Sequence, residues 1–244
     1  MVTLARGNIM NTVYFFILVP MVYIAFAVFI IGMAAQVIRV LKKPKLNASL
    51  RIYPEEKPRW FWSIFDSILL PTVWRHNKAL WFFLIAFHAS FILVFLGHLE
   101  LITEMKWIQL IKHEIFLGKG FVGLIMSIAL LFFLFRRFIS PTKELSVPED
   151  YFLLVLLFLT VVFGSEMDWA RRWYDYGEMS VDAYRSYLSS IFLLSPKIAD
   201  VTTSGHSFML VLHVFFANLF LMFFPFSHLI HSIFAFSLNK IRRG

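Results

Sequence analysis

Four histidines of this chain stand in stretches where histidine is rare. His213 and His231 lie in the long apolar run His206 to Leu238, which also carries His206 and His228; His88 and His98 lie in ALWFFLIAFHASFILVFLGHLEL. An imidazole in a membrane-length segment marks a functional site by default, because it must be paired or ligated there. It offers a lone pair to a metal, or a group that relays protons. On one straight helix the 18 residues from His213 to His231 make five turns, so both rings fall on one stripe about 27 Å apart. That puts one ring near each edge of a hydrocarbon core about 30 Å thick. Two helices carrying two imidazoles each could clamp two stacked metal centres.

Those helices must be membrane spans. Five stretches are candidates: Thr12 to Val40, Ala79 to Leu99, Gly120 to Phe135, Tyr151 to Gly164 and His206 to Leu238. A crossing needs about 20 apolar residues. The third therefore has to borrow Phe116, Leu117 and Phe138, and the fourth, the shortest, has to borrow Val147. The expectation is an all-α membrane protein, a bundle of five transmembrane helices forming a single domain over residues 1–244. The first apolar run is too long for the core of a signal peptide, and no small-x-small cleavage site follows it.

Composition supports the same class. Of 244 residues 59% are hydrophobic, 30 are Phe and 16% are charged, whereas soluble domains carry about 25% charge. There is no cysteine, which excludes disulfides, cysteinyl iron–sulfur clusters and a covalently attached c-type haem. The net charge of +8 reports membrane topology and not nucleic-acid binding. Fifteen Lys and Arg fall on one side of the five spans: nine between the first two spans, then Arg136, Arg137 and Lys143, then Lys240, Arg242 and Arg243. Eight fall on the other side. The positive-inside rule then sets the N-terminus outside (periplasmic) and the C-terminus in the cytoplasm.

With that orientation His98 and His213 share the outer depth and His88 and His231 the inner one. The 10-residue interval from His88 to His98 leaves those rings about 80° apart on an ideal helix. A tilt, or a distortion at Gly97, has to absorb the difference. Two connections are unusual. RWFWSIFDSILLPTVWRHNK, between basic ends, suits an amphipathic segment at the cytoplasmic interface, a docking surface, or a loop held at the headgroups by its tryptophans. Ser165 to Ser204 reads as short surface helices over the outer centre.

The 10- and 18-residue spacings, the dipeptide Gly97-His98 and the run FPFSHLIH ending in His231 resemble the cytochrome b (gamma) subunit of respiratory nitrate reductase. Related membrane subunits of sulfate-reducer and heterodisulfide-reductase-like complexes share the domain. The resemblance covers nearly the whole chain. It implies two haem b groups, His98 with His213 on the outer one and His88 with His231 on the inner one. It also implies a quinone (menaquinone or ubiquinone) pocket beside the outer haem. Gly97 would allow close packing at that pocket and Lys119 in LGKG would bind the quinone, with Lys112 as competitor; His206, His113 and Glu114 lie at the same face. Six-coordinate haems transfer electrons and leave oxygen alone. The implied protein is an electron-transfer subunit of a prokaryotic inner-membrane respiratory oxidoreductase, oxidising quinol or reducing quinone. Its partners would be lipid, a cytoplasmic iron–sulfur subunit on the basic inner face, and other membrane or periplasmic redox subunits.

His228 stands where relatives often carry a basic residue, and reads as a haem-propionate or interface contact. His76 reads as a loop histidine. Arg136, Arg137, Arg242 and Arg243 are topology determinants first, with propionate contacts secondary. Two other readings stay open on the residues alone: a proton-relay transporter, and a structural anchor without haem. Against the transporter, the spans show no inverted repeat and hold few acidic residues.

Overall fold

The computed structural model describes residues 2–42, 58–102, 121–174, 181–203, 207–230, 234–236 and 239. Among these there is no strand. In order run α1 Val2–Leu18, α2 Pro20–Leu41, α3 Arg59–Leu69, α4 Pro71–His76, α5 Lys78–Ile102, α6 Phe121–Arg136, α7 Pro148–Tyr174, α8 Val181–Phe192, α9 Ala199–Thr202 and α10 Ser207–Phe223. Among the described residues, four stretches are long and apolar enough to cross a membrane: Met10–Leu41, Lys78–Ile102, Pro148–Met167 and Ser207–Phe226. The described part of the expected third span, α6, is apolar but has only 16 residues.

The long helices form an open row. α2 packs on α10, α10 on α7, α7 on α6 and α6 on α5, while α8 closes against α5. α5 and α10, the two histidine-bearing helices, are not packed along each other. Lipid tails are as apolar as Leu, so no hydrophobic drive joins such helices; close packing and buried hydrogen bonds must do it. Small residues mark the contacts. A Cβ on Gly123 of α6 would lie 2.0 Å from Ser165 Oγ and 2.9 Å from Ser165 Cβ of α7. A Cβ on Gly32 would lie 2.7 Å from Pro225 Cβ, beside a bond from Gln36 Nε2 to the Pro225 carbonyl of 3.0 Å. We expect Gly123→Ala to destabilise the fold by about 1–3 kcal/mol through overpacking, and Ser165→Gly in the same chain to restore it. A thermal melt in detergent checks this; an unchanged midpoint for Gly123→Ala would refute the close α6–α7 crossing.

Two expectations about the spans need correction. The first span stands as one membrane-length stretch, Met10–Leu41, with a break at Val19, whose ψ of −76° at φ −125° leaves the helical region before Pro20. Proline has no N–H and clashes with the preceding turn. Carbonyls at a break inside a membrane need new donors. Here the Leu18 carbonyl accepts from Tyr187 OH at 2.7 Å and the Ile17 carbonyl from Asn218 Nδ2 at 3.2 Å. The fourth span is not the shortest: α7 runs 27 residues, from Pro148 through Gly164 to Tyr174. Hydropathy falls at Glu166 and Asp168 before the backbone leaves the helix.

The last span is not one straight helix either. α10 ends at Phe223, and 3₁₀ turns follow at Phe224–Phe226 and His228–Ile230. Pro225 removes a donor and its ring blocks continuation. The five-turn stripe from His213 to His231 therefore fails across Pro225, and His231 lies outside the described residues. α5, by contrast, runs unbroken through Gly97. The connection between the first two spans contains an amphipathic helix, α3, whose exposed face carries Trp60, Phe61, Ile64 and Ile68. Its other side meets the C-terminal region through Asn239 Nδ2 to Ser67 Oγ, 2.9 Å.

Candidate functional site

α5 presents its histidines toward open space. Despite their nominal 80° offset, His88 and His98 are both exposed, on the same side as Phe91, Ile92 and Phe95. Each ring is held by its own helix: His88 Nδ1 lies 2.7 Å from the Leu84 carbonyl and His98 Nδ1 lies 2.8 Å from the Val94 carbonyl. A carbonyl can only accept, so in both rings Nδ1 carries the proton and Nε2 keeps the lone pair. That is the tautomer a metal needs, and an Nδ1–H···O=C bond is the usual way a ligating histidine is oriented.

His213 on α10 is held from a neighbouring helix. Its Nδ1 donates to the Thr160 carbonyl of α7 at 2.8 Å. Gly164, one turn along α7, lies beneath the ring: a Cβ there would stand 2.8 Å from Nδ1 and 2.9 Å from Cε1. Phe163 and Phe216, stacked at 5.6 Å and 4°, lock the two helices beside it. His98 and His213 lie beside each other with ring centroids 6.1 Å apart and planes 27° apart. A metal–imidazole bond of about 2 Å, plus about 1 Å from nitrogen to ring centre, puts trans imidazole centroids about 6 Å apart. These two rings therefore have the separation, tautomers and anchoring to hold an iron between them.

The remaining candidates divide. Gly97 is buried on α5, next to His98. His206, Lys119, Lys112, His113, Glu114 and His231 lie outside the described residues. His76, at the end of α4, bonds its own Thr72 carbonyl at 2.8 Å. His228 is exposed, with its Nδ1 3.9 Å from Asp150 Oδ1 in the first turn of α7. Asp150 also pairs with Arg137 at 2.9 Å, so Arg137 joins a side-chain cluster at this end of the bundle. Sequence reasoning missed Thr160, whose contribution is a backbone carbonyl and leaves no residue-type signal. It also missed Gly164, read as the end of a span, where a glycine within an apolar helix marks close approach. Glu100, only 2% exposed two residues beyond His98, was likewise unremarked.

An all-helical membrane bundle with two neighbouring imidazoles anchored on α5 and α10 is the class these observations define. The chain belongs to the nitrate reductase gamma subunit family, whose pattern it matches over residues 72–243. It is similar to an Hdr-like menaquinol oxidoreductase cytochrome b-like subunit of Archaeoglobus fulgidus, 26% identical over 261 residues, covering 90% of this chain and 76% of that protein. A protein of the same description from Archaeoglobus profundus is 23% identical over 264 residues, covering 91% and 76%.

Proposed function

We propose that this chain is a dihaem b subunit of a membrane quinone-linked oxidoreductase, passing electrons between the quinone pool and partner redox subunits. The observation that carries this reading is the His98–His213 pair, 6.1 Å between centroids with each Nδ1 on a carbonyl. Two b haems, when bound, supply one-electron transfer across a membrane that is otherwise an insulator.

The residues would share the work as follows. His98 and His213 hold the outer iron through Nε2, and Thr160 and Gly164 fix the His213 ring. His88, with its proton on Nδ1 by the same backbone anchor, holds the inner iron together with His231. Lys119, Gly97 and His206 form the quinone pocket on the outer side, with Lys119 donating a hydrogen bond to the quinone oxygen. Apolar residues of α5 and α10 would surround the haem group, which when bound would supply electron transfer through imidazole-held iron. The relatives' description as menaquinol oxidoreductase subunits favours menaquinone as the quinone. Five spans, with α6 as the third, give an outside N-terminus and a basic inner face in a prokaryotic cytoplasmic membrane. That face is where an iron–sulfur subunit would dock, since a chain without cysteine cannot supply cysteinyl clusters of its own.

The test is a dithionite-reduced minus oxidised visible spectrum of the purified chain with a pyridine haemochrome count. We expect b-type bands and two haems per chain. Absence of haem from protein made with ample haem supply would overturn the reading in favour of a proton relay or an anchor.

A further inference from the structure

We propose that Val181–Thr202 is a re-entrant hairpin whose apolar tip, Phe192–Leu193–Leu194, is inserted among the acyl chains of the bilayer. This rests on the chain crossing a membrane and is independent of its haem content. Sequence alone reads the region as surface helices. The structure instead lays α8 along a spanning helix: Tyr187 OH reaches the Leu18 carbonyl, Tyr23 OH reaches the Ile191 carbonyl at 2.9 Å, and Phe26 meets Phe192 edge-on at 6.1 Å. Contacts that advance together along both helices mean that α8 runs parallel to α2, away from the break at Pro20. Phe192 lies beside Phe26, six residues beyond Pro20 and so about 9 Å further along α2. The base of the hairpin is core, with Tyr187 and Ile191 buried against Leu18, Val22, Leu210 and Val211.

Its tip is not covered by protein. Phe192, Leu193 and Leu194 are 53%, 77% and 77% exposed, next to the exposed α2 residue Phe26. A backbone donor that meets lipid needs a partner of its own. The N–H groups of the tip have them: Leu193 N bonds the Ser189 carbonyl at 2.9 Å, Leu194 N bonds Ile191 at 3.1 Å, and Ser195 N bonds Ser190 at 3.0 Å. The last two bonds make the paired closure that ends many helices, whose left-handed position is usually glycine. Here it is Leu194, at φ 55°. A large apolar side chain there is strained and gains nothing from water; acyl chains provide the burial that offsets the strain. Exposed α2 residues of the same span continue the patch, which identifies lipid as its occupant.

The chain has no cysteine, so Leu193→Cys carries one bimane label on an exposed site. In the full chain reconstituted with brominated-acyl phosphatidylcholine, we expect this label to lose fluorescence, and aqueous iodide to leave it unchanged. A label at Asp182→Cys should respond the opposite way, since Asp182 begins α8 with its side chain 89% exposed. Leu194→Cys serves if Leu193→Cys does not accumulate. Iodide quenching at the tip would overturn the proposal by placing it in water. Shielding from both quenchers would overturn it by showing that a second copy or another protein covers the tip.

Discussion

Replacing His213 by Ala should reduce the haem content from two per chain to one and abolish reduction by menaquinol, while the remaining haem keeps its bands. The expectation follows from the His98 and His213 ring centroids lying 6.1 Å apart. An iron held by this pair would keep a single protein ligand once His213 is replaced. The stronger form of the prediction concerns pairing. His98→Ala should cost the same haem, so the double variant His98→Ala/His213→Ala should lose nothing further, because residues that act as one unit are grossly non-additive. His88→Ala combined with His213→Ala should remove both haems. Haemochrome counts on the single and double variants decide the matter. Two haems retained in His213→Ala, or a double variant with His98→Ala that loses both, would break the assignment of these rings to one iron.

The second large effect is expected at Gly164→Ala. The added methyl would lie 2.8 Å from His213 Nδ1 and 2.9 Å from Cε1, well inside the roughly 3.5–4.0 Å of ordinary contact. The ring cannot swing away freely, because its Nδ1 is bonded to the Thr160 carbonyl on the same helix. It must tilt or stretch that bond, and an outer iron held by His213 would lose part of its anchoring with it. Losing a partner that orients a ligand typically costs 10–100-fold in metal affinity. We expect outer-haem retention to fall by roughly that factor, measured by transfer of haem to apomyoglobin, with the inner haem retained as in the parent chain. Gly123→Ala is the control, since it crowds the neighbouring α6–α7 contact at Ser165, the residue after Gly164, without touching His213. Equal haem retention in Gly164→Ala and the parent would remove Gly164 from the site. Equal loss in both variants would reduce its part to helix packing.

The amino-acid sequence by itself determined the class: apolar runs of membrane length, no cysteine, and four imidazoles in two of those runs restrict the chemistry before any coordinates. α5 was legible to within three residues at either end, because uninterrupted apolar sequence of the right length has one outcome in lipid. Family membership was equally legible, since the spacings and the FPFSHLIH run are local strings. Whatever depended on another helix was not. The span ending at Leu238 reads as continuous on hydropathy, yet Pro225 ends its helical ladder, a matter of one missing donor and a ring clash. The Thr160 carbonyl and the surface of Gly164 acquire their role only because α7 packs on α10. The same holds for Asn218 and Tyr187, which read as ordinary polar residues until the break before Pro20 sets carbonyls beside them. Periodicity reports which residues share a face of one helix; the neighbour of that face is set by close packing between helices, and there the histidines meet.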